Sequence, residues 1–371
     1  MHYLALRLDP WGHIAIQEYE KLFTQFGIAP IDEVIDKLPH PHHFFRRKIV
    51  FGHRDFDKWI NAYKNKEKVT VLTGFMPSGH VHLGHLMLFE ELKYFQRLGI
   101  NINIVIADAE AYAVRRISRK KIMEYAREYI EYVLATGLDP SKTRIYFQTN
   151  SDTPYYRLIQ LFSRKITLAE LEAIYGELEP SKIIAVLTQA ADILHLQLPD
   201  YGCYKHVLVP VGADQDPHLR LTRDIADRFK NELGLRRPAS TYHKFIRGLD
   251  GNKMSSSRPE YAIFLSDPIE QVEQKVKKAL TGGRVTAEEQ RKYGGEPEKC
   301  TVYELYMYYL LEDDKKLLEL YSACKRGELL CGECKRKAIE MLSTLISRLQ
   351  ENAKKIEEQG IIDKIVKFPE F

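Results

Sequence analysis

Between Val69 and Ala107 the hydrophobic period of the chain switches from strand to helix and back. Val69-Thr70-Val71-Leu72-Thr73 is a short β-branched run that stops at Gly74, and Leu86 to Leu98 is an apolar-rich helical stretch closed by Gly99. Asn101 to Ala107 is a second buried strand. A strand, loop, helix and strand in this order make a parallel unit, because parallel strands need a crossover long enough to hold a helix.

The alternation continues. Ser118 to Thr136 keeps the helical period through Ile122, Ala126, Tyr129, Ile130 and Val133, and Thr143 to Thr149 returns as a strand. Residues 154–203 are mainly helical, Val207 to Val211 is a strand ending at Gly212, and Pro217 to Phe229 is again a helix. The chain therefore predicts an α/β fold with a doubly wound, Rossmann-like parallel sheet and a helical insertion around 113–205. From Pro268 the strand signal fades, and Ile339, Leu342, Ile346, Leu349 and Ile356 mark one face of a long terminal helix. These readings divide the chain into an N-terminal extension (1–68), a Rossmann-type domain (69–265) and an all-helical region (266–371).

Composition excludes several classes. With 371 residues, 44% hydrophobic and 29% charged, the chain can bury a large core and is neither collagen-like nor mostly disordered. A net charge of +4 means that any nucleic-acid contact is a local patch. The first twenty residues carry Arg7, Asp9, Glu18 and Glu20, so no secretory signal is expected, and no run approaches the ~18 apolar residues of a membrane span.

The strand ending at Gly74 leads into Pro77-Ser78-Gly79-His80-Val81-His82-Leu83-Gly84-His85, at the crevice where such a sheet binds its ligand. Pro77 and Gly79 shape a tight turn, and the helix that follows is expected to offer backbone N–H groups to an anion. His82 and His85, three apart, are placed to donate from one helix edge to phosphate oxygens, while Gly84 leaves room for a flat ring. Zinc on His80, His82 and His85 is disfavoured, because no carboxylate in the motif completes a ligand set. About 170 residues on, Gly248 to Ser257 is a glycine- and hydroxyl-rich loop with a central Lys253, suited to closing over a polyphosphate.

This pair resembles the two signatures of class I aminoacyl-tRNA synthetases, standing here as His82-Leu83-Gly84-His85 and Lys253-Met254-Ser255-Ser256-Ser257. Gly212-Ala213-Asp214-Gln215-Asp216-Pro217 and its continuation to Asp224 resemble the strand-to-helix turn of the tyrosyl and tryptophanyl members, with a tail most similar to archaeal and eukaryotic tryptophanyl forms. Asp9-Pro10-Trp11, Pro41 to Arg47, Gly52-His53-Arg54-Asp55 and Thr281 to Arg284 extend the resemblance over nearly the whole chain.

The resemblance implies ATP-dependent ligation of L-tryptophan to tRNA(Trp) through an adenylate, with Mg²⁺ accompanying ATP, in a cytoplasmic homodimer with no membrane partner. It implies catalytic roles for His82, His85 and Lys253, and an ATP site at Pro77, Ser78, Gly79, Gly84, Gly212, Asp214, Met254 and Ser255. Asp214 is assigned to the ribose hydroxyls. Glu110, Gln189, Asp192 and Gln215 match substrate-pocket positions. An indole N–H is a donor only and needs an acceptor, for which both Asp192 and Glu110 qualify. Leu72 and Val105 depart from the eukaryotic pocket, where a tyrosine and a glutamine stand. Leu72 also weakens the rival tyrosyl reading, since it cannot hydrogen-bond a phenol. A catalytically silent RNA-binding paralogue is the other alternative, against which the intact His82, His85 and Lys253 argue.

Cys300, Cys324, Cys331 and Cys334 are separated by 23, 6 and 2 residues, and only Cys203 of the five cysteines lies elsewhere. Four thiolates suit Zn²⁺ or a [4Fe-4S] cluster, and the spacing resembles cluster-bearing synthetases of this type. Within the resemblance this is the anticodon-binding region, with Lys325, Arg326, Lys335 and Arg336 available to phosphates.

Overall fold

The computed structural model describes residues 20–370, so the Asp9-Pro10-Trp11 segment lies outside the described residues. Seven strands form one sheet: β1 (Ala29–Pro30), β2 (Val50–Arg54), β3 (Val69–Phe75), β4 (Ile102–Ile106), β5 (Thr143–Phe147), β6 (His206–Gly212) and β7 (Ala239–His243). Their order is β1-β2-β7-β6-β3-β4-β5. The five strands from β7 to β5 are parallel, as the alternation predicts. The stretch read as an N-terminal extension supplies β1 and β2, which add an antiparallel edge beside β7. Both are short or glycine-interrupted, and a two-residue strand has no period to read.

The sheet separates two apolar cores because alternate residues of a strand face opposite sides. Ile102, Ile104 and Ile106 of β4 enter a core shared with Trp59, Phe95, Leu342 and Ile346. Val105 faces the other way, with Leu72, Leu194, Val209 and Leu221, under the helices of the insertion. The insertion carries helices at Thr153–Ser163, Leu168–Tyr175 and Pro180–Leu194.

The long terminal helix runs from Cys331 to Glu358, and its predicted face, Ile339 through Ile356, is buried. It packs on the helix Arg119–Ala135, where Asn352 donates to the Ala135 carbonyl at 3.0 Å. The C-terminal helices thus share the core beneath the sheet. Among the described residues no helix is long and apolar enough to cross a membrane.

Candidate active site

Strand order reverses between β3 and β6: the chain proceeds outward from β3 through β4 to β5 on one side, and from β6 to β7 on the other. At the carboxyl ends of these strands, where loops diverge to either face, lies a cavity of about 790 Å³. Its wall includes Ser78, His82, Gly84 and His85 from the first motif, and Lys253, Met254 and Ser255 from the second. Gly212, Asp214 and Gln215 line it from the end of β6, and Glu110, Gln189 and Asp192 from the insertion side. Pro77 and Gly79 are buried behind the wall.

The two distant motifs are in contact. A Cβ on Gly79 would stand 2.8 Å from Ser256, so only glycine lets these backbones approach. Leu83 N–H donates to Ile263 O at 3.0 Å and Leu265 N–H to Val81 O at 2.9 Å, tying the return of the lysine loop to the first motif. Arg247 and Lys253 pair across the base of that loop, and the Arg247 amide donates to Glu304 at 2.9 Å. Tyr309 donates to the Leu83 carbonyl, so the helical region braces both motifs.

The start of the helix Leu83–Arg97 differs from expectation. Its first amides do not face the cavity unpaired: Gly84 N–H donates to His82 Nδ1 at 3.0 Å, and His82 N–H donates to His85 Nδ1 at 3.1 Å. The two histidines form a reciprocal capping box, using amides that the sequence reading reserved for an anion. Burial and the Lys253 charge lower the His82 pKa to about 3, and burial holds His85 well below the usual histidine range. Both rings are therefore neutral. The ring of His82 stacks on that of His85 at 4.0 Å. Its Nε2 has no protein partner among the described residues, whereas His85 Nε2 is engaged with Tyr129 at 2.8 Å.

Lys253 Nζ sits 3.2 Å from the Asp214 carboxylate and 3.6 Å from the centre of the Phe245 ring. Gly212 allows this crowding, since a Cβ there would meet Phe245 at 2.7 Å and Asp214 at 2.9 Å.

Asp192 lies at the apolar end, where Leu72, Val105 and Ile193 line the cavity. It is 2% exposed and accepts from Tyr155 at 2.7 Å, Gln148 at 2.7 Å and Tyr146 at 3.3 Å. Burial pushes its pKa up to about 7 against the pull of these three donors. Both tyrosines bond Oδ1 and Gln148 bonds Oδ2, which leaves Oδ2 one acceptor site for a ligand donor. Gln189 Nε2 lies 3.5 Å from Gln215 Oε1.

Sequence reasoning missed Gln148, Phe245 and His243, all on the cavity wall, and read Tyr129 only as an apolar helix position. Tyr129 lies in the helical period; Gln148 reads as part of the strand Thr143 to Thr149, which in the structure ends at Phe147.

Away from this cavity, Cys300, Cys324, Cys331 and Cys334 line a second, small and apolar pocket with Gly283 and Leu329. A Cβ on Gly283 would strike Cys331 Sγ, and one on Gly295 would lie 2.8 Å from Cys324 Sγ. Burial, reinforced by the neighbouring thiols, raises Cys324 to about 11 and Cys334 to about 12. Among the described residues no group of three or more His, Cys, Asp or Glu is arranged to hold a single metal ion.

Residues 64–347 match the family model of class I tRNA synthetases (W and Y). A tryptophan-tRNA ligase of Hyperthermus butylicus is 58% identical over 370 residues, covering 98% of each chain. That of Methanocaldococcus jannaschii is 46% identical over 362 residues, 96% of this chain and 97% of the relative. The crystal structure of tryptophanyl-tRNA synthetase from Aeropyrum pernix superposes with a TM-score of 0.92 at 54% identity, covering 98% of this chain and all of that one. With its two signatures meeting around one cavity at the strand reversal, the chain belongs to the tryptophan and tyrosine family of class I tRNA synthetases, among its archaeal tryptophanyl members.

Proposed function

We propose that this cavity activates L-tryptophan with ATP and passes it to tRNA(Trp). A carboxylate oxygen of tryptophan attacks the α-phosphorus, the bridging bond to the β-phosphate breaks, and pyrophosphate leaves. A ribose hydroxyl of the terminal adenosine of tRNA then takes the aminoacyl group, releasing AMP. Neither step needs a covalent enzyme nucleophile, so the work of the protein is positioning and charge stabilisation. Mg²⁺ entering with ATP would supply further shielding of the phosphate charge.

His82 and Lys253 form the donor wall for the phosphates, with His85 beside them on that wall, and Asp214 faces the ribose. Asp192 accepts the indole N–H at the spare site on Oδ2, with Glu110 the alternative acceptor on the same wall, while Gln189 and Gln215 face the ammonium end. The observation that carries this reading is a buried acceptor at an apolar pocket end, in the same cavity as both signatures. Leu72 on that wall offers nothing to a phenol hydroxyl and favours tryptophan over tyrosine. Pyrophosphate exchange run with each amino acid separately is the test: exchange with tryptophan is expected, and exchange with tyrosine alone transfers the chain to the rival reading.

The four cysteines fit a thiolate-bound group because their thiols line one small apolar pocket, where Gly283 and Gly295 let Cys331 and Cys324 lie close against the backbone. A lone tetrahedral Zn²⁺ with bonds of about 2.3 Å draws its four sulfurs together, whereas a [4Fe-4S] cluster spreads them. The cluster is the reading the cysteine spacing favours. Such a group would stiffen the anticodon-binding region, which begins near residue 265. A homodimer and a cytoplasmic setting rest on the resemblance to the family.

A further inference from the structure

Hydrogen-bond valence on the wall beside His85 points to a residue with no role so far. A neutral imidazole carries one proton on two nitrogens. In His85, Nδ1 accepts the His82 amide at 3.1 Å, so the proton is on Nε2. That nitrogen lies 2.8 Å from the hydroxyl oxygen of Tyr129, which therefore receives the imidazole N–H. Burial holds the Tyr129 hydroxyl protonated. Its oxygen is used as an acceptor, and its own hydrogen has no protein acceptor among the described residues.

Tyr129 lines the same cavity as His82 and His85. Its ring is held by Phe75 at 5.5 Å and meets the His85 ring nearly edge-on at 4.9 Å. His82 is the mirror case: its Nδ1 is spent on the Gly84 amide, and its Nε2–H is left to the cavity. The wall thus presents one imidazole N–H and one phenol O–H.

We propose that Tyr129 is a catalytic residue of tryptophan activation, its hydroxyl donating to a phosphate oxygen of ATP, and that His85 acts through it as a positioning residue. The proposal rests on the reading of this wall as the phosphate site. No proton changes owner: the hydroxyl strengthens one hydrogen bond as charge grows on the phosphates.

The test is tryptophan-dependent pyrophosphate exchange in Tyr129→Phe, with His82→Ala in parallel. Tyr129→Phe is expected to lower kcat about 10²-fold while leaving the KM for tryptophan within about twofold. Wild-type kcat in Tyr129→Phe beside an impaired His82→Ala overturns the role of Tyr129 and leaves the phosphate site standing. Wild-type kcat in both removes the phosphate reading itself. A raised tryptophan KM with unchanged kcat marks Tyr129 as structural and also overturns the proposal. If Tyr129→Phe does not fold, ¹⁵N spectra of histidine-labelled wild-type protein decide, with His85 assigned by its loss in His85→Gln. Protonated Nε2 is expected, and a proton on Nδ1 of His85 refutes the arrangement.

Discussion

The Gln148 side-chain amide donates to Asp192 at 2.7 Å, which fixes the amide with its nitrogen toward the carboxylate. The link joins the end of β5 to the helix Pro180–Leu194 and makes Asp192 an acceptor shared by three side chains.

A titration of tryptophan affinity follows from that environment. The Asp192 pKa is raised from 3.8 to about 7, so the free protein carries a partly protonated carboxyl at neutral pH. An indole N–H binds the ionised form better and pulls the pKa down. Tryptophan affinity is expected to rise with pH between about 6 and 8, and Asp192→Asn to abolish that slope. For folding the sign is opposite. A raised acid pKa makes the folded state hold the proton more tightly, so the contribution of Asp192 is fullest below 3.8 and is lost as pH rises through about 7. Isothermal titration with tryptophan at several pH values is the check, and a flat profile refutes the assignment.

Lys253 is partly exposed and paired with Asp214 at 3.2 Å. An ion pair of this exposure contributes less than about 1 kcal/mol to folding. Lys253→Ala should therefore leave the melting temperature nearly unchanged while lowering kcat for activation by about 10² to 10³, with little change in the KM for tryptophan. Equal losses in kcat and tryptophan affinity would show that Lys253 shapes the pocket instead.

Lys275 and Asp267 form a buried pair at 2.7 Å, both less than a tenth exposed. Lys275 also donates to the Ala262 carbonyl at 2.8 Å, and Asp267 accepts the Phe264 amide at 2.9 Å. Removing one partner strands the other charge, so Lys275→Met is expected to cost about 3 to 5 kcal/mol in denaturant unfolding. A cost below about 1 kcal/mol would mean that water reaches Asp267.

For the four-cysteine pocket, anaerobically purified protein should contain iron and show a broad visible absorption that fades on reduction. Gly283→Ala, whose methyl would strike Cys331 Sγ, is expected to lower the bound iron together with tRNA charging, while pyrophosphate exchange stays within about threefold. Zinc in place of iron would select the other four-thiolate group, and absence of both would retire the site.

Much of this was legible before folding, for identifiable reasons. The strand, loop and helix from Val69 to Arg97 follow from a change of hydrophobic period, which is a local property. The same holds for the buried face of the helix Cys331–Glu358. β1 and β2 escaped because short edge strands have too few residues for any pattern, and they exist only through pairing with the distant β7.

What the sequence by itself determined is the alternation of strands and helices, the two signatures, the pocket carboxylates and the clustered cysteines, because each is written in residue type and spacing. The tertiary structure alone decided which histidine keeps an N–H for the cavity, that Tyr129 meets His85 on the cavity wall, and that Gln148 holds Asp192. A hydrogen bond has direction and limited valence, and partners more than forty residues apart in the chain meet only once the sheet has brought their elements together.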